Sequence, residues 1–321
     1  MRETSAETSQ KPTAFVTGAT GFVGSHLARR LVQDGWQVHI LIRADSTVPT
    51  EAEFSHMTTH HHDGSTSGMI SCVTLARPDV VFHLSSLFLS QHKSQDIDAL
   101  IQSNVLFGTQ LLEAMDAIGV KFIINTGTSW QHYNNEDYNP VCLYAATKQA
   151  FETLLEYYVQ ACGFNAITLK LFDTYGAGDN RPKLFNLLNK SAETGEILNM
   201  SPGEQLLDIV HIDDVVNAYL IAAKRLLDGK VPAHENYAVS SGNHLSLKEI
   251  VEIYSNTTGK SVNVNWGARE YRFREVMIPW NRGCAIAGWH QKIDLGKGLS
   301  NNGCAAVTLA AKPTDERNNE D

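Results

Sequence analysis

A doubly wound α/β fold, a parallel sheet followed by a smaller C-terminal lobe, is predicted by three features of the sequence. Apolar, often β-branched runs alternate with longer helical patterns through the first half of the chain. A glycine-rich turn, GATGFVG at 18–24, follows the first run and opens the first helix. After about residue 175 the alternation loosens into helices joined by turn-rich connections.

Residues 1–12 are polar and featureless and are expected to be disordered. The runs at 13–17 (TAFVT), 37–42 (QVHILI), 79–84 (DVVFHL), 120–126 (VKFIINT) and 166–172 (AITLKLF) are bounded by turn residues, as buried strands are. Helical patterns lie near 22–34, 66–77, 98–118 and 142–162; the last carries Tyr144, Phe151, Leu154, Leu155 and Tyr158 near a 3.6 period. Such alternation favours a parallel sheet, because the crossover helices cover both of its faces. Residues 13–175 therefore read as a dinucleotide-binding domain. Helices near 181–194, 213–229 and 246–256 read as a substrate-binding lobe over 176–299, partly interleaved with the first domain. From Ser300 the chain is polar and aperiodic, so 300–321 is expected to be a disordered tail.

The bulk numbers exclude several classes. With 321 residues, 43% hydrophobic and 19% charged, the chain can bury a sizeable core. A net charge of −9 argues against general nucleic-acid binding, which needs basic surface to displace counterions. Five scattered cysteines without a CxxC pair read as a reducing compartment, with neither a disulfide framework nor structural zinc. No stretch approaches the roughly 20 apolar residues of a membrane span, and residues 1–12 lack a signal-peptide core, which reads as cytoplasmic. The run His60-His61-His62 is no metal cluster: consecutive strand residues point to opposite faces.

The glycine turn has the context that a dinucleotide cradle requires. Gly18 permits the tight exit from the strand, Gly21 lets a pyrophosphate approach the backbone, and Gly24 lets the helix close onto the sheet. Amides at the helix start then face the anion. With strand before and helix after, the domain is of Rossmann type. At the end of the second strand an NAD enzyme carries an acid for the ribose hydroxyls. This chain has Ile42 there and Arg43 next, whose charge suits the 2′-phosphate of NADP; Asp45 belongs to the following loop. NADP, used as NADPH, is the expected cofactor, with NAD as the alternative.

Tyr144 and Lys148 are four residues apart on one helix and share a face. A neighbouring ammonium favours phenolate and is expected to lower the tyrosine's pKa. Thr128 closes the fifth strand, where its hydroxyl can bond the oxygen that Tyr144 serves. A YxxxK pair alone reads as a helix-surface pair. After a glycine cradle it reads as an acid–base set for hydride transfer.

The spacing GxxGxxG, HLSS at 83–86, NVLFGTQLLEA at 104–114, the Thr128/Tyr144/Lys148 set, YGAGD at 175–179 and HIDDVVNA at 211–218 follow one another in order. From about Thr13 to Leu299 the chain thereby resembles the extended short-chain dehydrogenase/reductase family of nucleotide-sugar epimerases, dehydratases and reductases. The resemblance implies Thr128, Tyr144 and Lys148 as catalytic. It implies Gly18, Thr20, Gly21, Phe22, Val23, Gly24, Arg43, Leu84, Ser85, Ser86, Tyr144 and Lys148 against the cofactor, with Asp63 at the adenine. For a nucleotide-diphosphate sugar it suggests Asn104, Ser129, Trp130, Asp173, Arg181, Lys183 and Arg274, with His132 beside Trp130. Asp213 and Asp214 read as a helix cap. No metal is implied, and homodimerisation through the helices at 98–118 and 142–162 is.

Three reactions are open to such a family. A dehydratase needs an Asp-Glu pair after the threonine, where this chain has Ser129-Trp130. Reductase and epimerase remain; an epimerase recycles its own NAD, so Arg43 tips the choice towards an NADPH-dependent reductase. YAATKQAFE at 144–152 and LFDTYGAGDNRPK at 171–183 resemble bacterial CDP-abequose/CDP-paratose synthase-type 4-ketoreductases of deoxysugar biosynthesis. Lys170 and Asp173 stand there for the wider family's arginine and asparagine. Between 270 and 290, WNRGCAIAGWH keeps little of the usual pattern beyond Gly288-Trp289. A non-catalytic NADP-binding regulator is the other class of reading, but such proteins lose the tyrosine or the lysine.

Overall fold

The computed structural model describes residues 11–43 and 52–302. The chain opens with β1 (Thr13–Thr17), α1 (Phe22–Gln33), β2 (Gln37–Arg43), β3 (Met57–His62), α2 (Thr66–Ala76) and β4 (Val80–His83). It continues through α3 (Ile97–Ile101), a π-turn (Gln102–Leu106), α4 (Phe107–Ala117), β5 (Phe122–Thr128), α5 (Leu143–Cys162) and β6 (Asn165–Leu171). Then come β7 (Asp173–Tyr175), α6 (Leu184–Thr194), β8 (Leu198–Asn199), β9 (Leu206–His211), α7 (Ile212–Leu227) and β10 (His234–Val239). The last elements are β11 (His244–Ser246), α8 (Leu247–Thr258), β12 (Val264–Asn265) and α9 (Leu295–Asn302).

Seven strands form one sheet in the order β10-β6-β5-β4-β1-β2-β3, each neighbouring pair parallel. The chain winds from β1 out to β3, then crosses back to β4 and runs the other way. This is the Rossmann-type doubly wound sheet, and its reversal between β1 and β4 opens a crevice at the strands' carboxyl ends, where such sheets bind ligands. Apolar cores cover both faces, one around Leu27, Tyr219 and Phe82, the other around Met69, Leu111 and Phe151. That double burial is why the strands read as near-continuous apolar runs. α7 and β10 follow residue 175 yet complete this sheet: β10 pairs with β6, and the α7 residue Tyr219 meets Thr126 Oγ1 at 2.7 Å. The remaining elements build two small sheets, β11-β9-β7 and β12-β8, over a third core around Leu188, Ile250 and Tyr254.

Three expectations change. The helix expected over 98–118 is interrupted by the π-turn, whose extra residue per turn brings Asn104 into the interior. The segment expected to be a tail from Ser300 begins inside α9, whose Leu295 and Leu299 are buried in the third core. The α7 cap is His211, whose Nδ1 accepts from the Asp213 backbone N–H at 3.3 Å, rather than the Asp213-Asp214 pair. Asp214 is buried instead, and its Oδ2 accepts from the backbone N–H groups of Lys292 and Ile293. In β3, His60 and His62 face inward and His61 outward, as strand alternation requires. Asp45 and residues 1–10 and 303–321 lie outside the described residues.

Candidate active site

The glycine turn is built at the limit of close packing. Gly18 has φ +75°, and a Cβ there would lie 2.7 Å from Ser85 N and 2.9 Å from the Leu84 carbonyl carbon. The β1–α1 turn therefore rests directly on the backbone that follows β4. Thr17 joins the same two strands: its hydroxyl meets His83 Nδ1 at 2.9 Å and accepts from Ser85 N–H at 3.2 Å. α1 starts at Gly21 with no side-chain cap and no acid in its first turn. Its leading amides are thus left to an anionic ligand, and the cradle fits a dinucleotide pyrophosphate. Thr20 is exposed at the rim, and Phe22 and Val23 begin the helix. Across the crevice, Ile42 is buried while Arg43 is exposed at the end of β2. Asp63, exposed after β3, accepts from Ser65 N–H and Oγ–H, and those bonds hold its carboxyl below the usual range.

Thr128 ends β5, and Tyr144 and Lys148 lie in the first two turns of α5, all buried. Thr128 Oγ1 accepts from the Trp130 backbone N–H at 3.3 Å, starting the short turn that begins with the half-buried Ser129. The Tyr144 ring stands edge-on to Phe88, centroids 5.0 Å apart, and Ser86 lies beside its hydroxyl. Burial holds Lys148 down to about 8, with Glu152 opposing. Burial likewise pushes the Tyr144 hydroxyl up to about 12, with Ser86 opposing. The lowering of the tyrosine by Lys148 expected from their spacing is therefore not what the protein alone shows. Desolvation of the phenolate dominates, while the ammonium acts on His83, which burial and Lys148 together hold down to about 3. At neutral pH Tyr144 is protonated.

A cleft of about 1460 Å³ is lined by Trp130, Asp173, Lys183, Tyr254 and Lys260, among others. Phe88 joins its near end to Tyr144, since its ring lies 5.6 Å from Trp130. Lys183 is 3.6 Å from Asp173 and 4.8 Å from the Phe88 ring. Arg272 lies 5.4 Å from the Trp130 ring and pairs with Glu275 at 2.7 Å. Aromatic rings and cations thus meet at this end of the cleft.

A sequence profile of the NAD dependent epimerase/dehydratase family matches residues 14–238. The chain belongs to that family. A CDP-abequose synthase of Salmonella muenchen is 29% identical over 291 residues, 89% of this chain and 94% of that protein. A UDP-glucose 4-epimerase of Streptococcus mutans is 24% identical, spanning 87% of this chain and 92% of that protein. Among solved structures, the UDP-glucose 4-epimerase of Thermotoga maritima with UDP-glucose superposes with a TM-score of 0.78 at 22% identity. It covers 90% of this chain and 97% of its own. Family membership makes the chain an enzyme of the NAD(P)-dependent class.

Within this family framework, four residues expected at the substrate take other places. Asn104 is committed to the protein: Oδ1 accepts from Leu87 N–H at 2.7 Å, and Nδ2 donates to Leu87 O and Thr147 Oγ1 at 3.0 and 2.9 Å. It ties the loop carrying Ser86 and Phe88 to α5 and has no N–H left for a sugar. Arg181 forks onto Asp179, donates to Thr174 O and lies 4.5 Å from the Phe22 ring, against the glycine turn rather than in the cleft. Arg274, at φ +57°, turns away to Asn139 and the Tyr133 ring, leaving Arg269 and Arg272 to line the cleft. His132 also leaves it, stacking on Trp280 at 3.9 Å. Phe88, Arg269 and Arg272 were missed because loops place them, and no spacing rule marks them.

Proposed function

We propose that the chain is an NADPH-dependent reductase of the 4-keto group of a nucleotide-activated deoxyhexose, CDP-linked, in bacterial deoxysugar biosynthesis. What supports the reading is the similarity to a CDP-abequose synthase across 89% of this chain, together with a buried tyrosine, Tyr144, one turn ahead of Lys148 on α5. Reduction of a ketone calls for a proton donor on oxygen, whereas an epimerase must first take a proton from a carbinol. The bound nicotinamide supplies the hydride. Tyr144 gives its proton to the carbonyl oxygen, which Thr128 bonds from the end of β5. Lys148 holds the nicotinamide ribose and, as an ammonium, favours the tyrosinate left behind. Gly18, Gly21 and Gly24 hold the pyrophosphate against α1, and Leu84 and Ser85 back that turn. Asp63 serves the adenine. Trp130, Phe88, Ser129 and Asp173 border the sugar, and Lys183, Arg269 and Arg272 face its diphosphate. The CDP reading is supported by the similarity to CDP-abequose synthase.

The test is incubation with NADPH and CDP-4-keto-6-deoxyglucose or its 3,6-dideoxy analogue. Stoichiometric loss of nicotinamide absorbance supports the reductase. A changed sugar NMR spectrum with the cofactor unaltered would replace it by an epimerase, the activity named for the Streptococcus mutans relative.

Preference for NADPH rests on Arg43. A carboxylate at that position would repel a 2′-phosphate by about 4 kcal/mol at 4 Å and an effective dielectric near 20, less with screening at an exposed site. Arg43→Glu is therefore expected to raise KM for NADPH roughly ten- to hundredfold and to leave KM for NADH within about threefold. Equal changes for both cofactors would remove Arg43 from the phosphate site. A cytoplasmic homodimer completes the proposal: Ile97, Ile101 and Leu106 on the α3–α4 segment and Tyr157 on α5 expose apolar surface where the two long helices would pair.

A further inference from the structure

Beneath the acid–base groups lies a buried polar cluster that the proposed reaction does not use. Glu152 follows Lys148 by one turn of α5 and is 6% exposed. Its Oε1 accepts from Gln131 Nε2 at 2.9 Å, and its Oε2 lies 3.5 Å from Lys170 Nζ on β6. Gln131 is fully buried, and its Oε1 accepts from the Thr128 backbone N–H at 3.0 Å. Lys170 also meets His132 Nε2 at 2.9 Å. The His132 Nδ1 lies 3.0 Å from Glu136 O, so Nδ1 carries the proton and Nε2 accepts from the lysine. The cluster is closed: a Cβ on Gly127 would lie 3.0 Å from each of Gln131 Oε1, Glu152 Oε1 and Lys170 Cγ.

Lys170 thus pairs with a buried carboxylate that reaches, through Gln131, the strand end bearing Thr128, and the buried Lys148 stands one helical turn from that carboxylate on the same face of α5. Leaving a buried charge without its partner is far more costly than exposing it. We propose that Glu152 is a positioning residue, holding Lys148 as an ammonium and, through Gln131, fixing the end of β5 that carries Thr128. Its kinetic consequence rests on the reaction proposed above; its electrostatic consequence does not.

The titratable groups around Lys148 are Tyr144 and Glu152 on α5 and His83 on β4. Tyr144 is protonated and His83 neutral, so Glu152 is the one of the three that stabilises the ammonium. Around Glu152 itself stand Lys170 of β6, the neutral His132, and the amides of Gln131 and Gln149.

The experiment titrates Lys148 by NMR in the full chain labelled at lysine, assigned by the signal lost in Lys148→Arg. It compares the wild type, Glu152→Gln and the double variant Glu152→Gln/Lys170→Met. Glu152→Gln keeps shape and a hydrogen bond to Gln131 but removes the charge. The Lys148 midpoint is expected to fall by about one pH unit, roughly tenfold less ammonium on the alkaline side. The alkaline limb of kcat/KM moves with it, and NADPH affinity stays within about threefold. The double variant leaves no unpaired Lys170 charge, and it is expected to keep the shifted midpoint. An unmoved midpoint in Glu152→Gln, or a wild-type midpoint restored in the double variant, would overturn the proposal. Failure of the functional reading shows separately, as a wild type with no nicotinamide-linked turnover, and the lysine titration still decides the role of Glu152.

Discussion

Tyr144→Phe is expected to lower kcat with the keto-sugar by about a thousandfold, within the range that a positioned general acid supplies. Only one oxygen is removed. The ring that stands edge-on to Phe88 remains, so α5 keeps its packing. The glycine cradle and Arg43 are untouched, and NADPH affinity is expected to stay within about twofold by nicotinamide fluorescence. Because the hydroxyl is held protonated up to about 12, the wild-type rate should not fall on the alkaline side through loss of the Tyr144 proton. The alkaline limit is set by Lys148, whose ammonium is lost as pH rises through about 8. A Phe variant retaining more than a tenth of the wild-type kcat would move the proton donor elsewhere, with the Ser86 and Thr128 hydroxyls to try next.

Local chemistry made much of this site legible. The strand, the glycine turn and the helix at 13–34 obey steric rules that operate within a few residues, and Tyr144 and Lys148 needed only the helical repeat. What escaped depends on contacts distant in sequence. Asn104 has the residue type of a polar sugar contact, but the π-turn and its partners Leu87 and Thr147 decide where its amide goes. Arg272 and Arg274 are two residues apart in a segment without regular structure, so no periodicity tells which faces the cleft. The expected effect of Lys148 on Tyr144 failed for a related reason. Spacing gives proximity, but burial, set by Phe88 and the sheet, outweighs a neighbouring charge. The cluster of Gln131, Glu152 and Lys170 comes from three separate elements that meet only on folding.

Gly24→Ala is expected to have the largest effect of any single-methyl change in the cradle. A Cβ there would stand 2.1 Å from Gly18 O, 2.7 Å from Gly18 C and 3.1 Å from Ala19 Cα, all backbone. No rotamer relieves such a contact, so either α1 or the turn must move by about 1 Å. Gly18 cannot yield, because it already rests on Leu84 and Ser85, and Ser85 is pinned through Thr17 to β1. The displacement falls on α1 and its leading amides, which the pyrophosphate needs. Overpacking of this kind costs about 1–3 kcal/mol, so a thermal midpoint several degrees lower is expected. NADPH affinity should fall by about a hundredfold or more, since each lost backbone contact to phosphate is charge-assisted. Gly21→Ala is the control: its Cβ would meet only Gly18 O, at 3.3 Å, and φ there is −83°, which alanine adopts freely. It should therefore leave the thermal midpoint nearly unchanged while still weakening NADPH binding, because the added methyl stands where the anion approaches. If both variants lost stability equally, chain stiffness rather than close approach would explain the glycines. If Gly24→Ala bound NADPH like the wild type, the cradle would not be where the pyrophosphate sits.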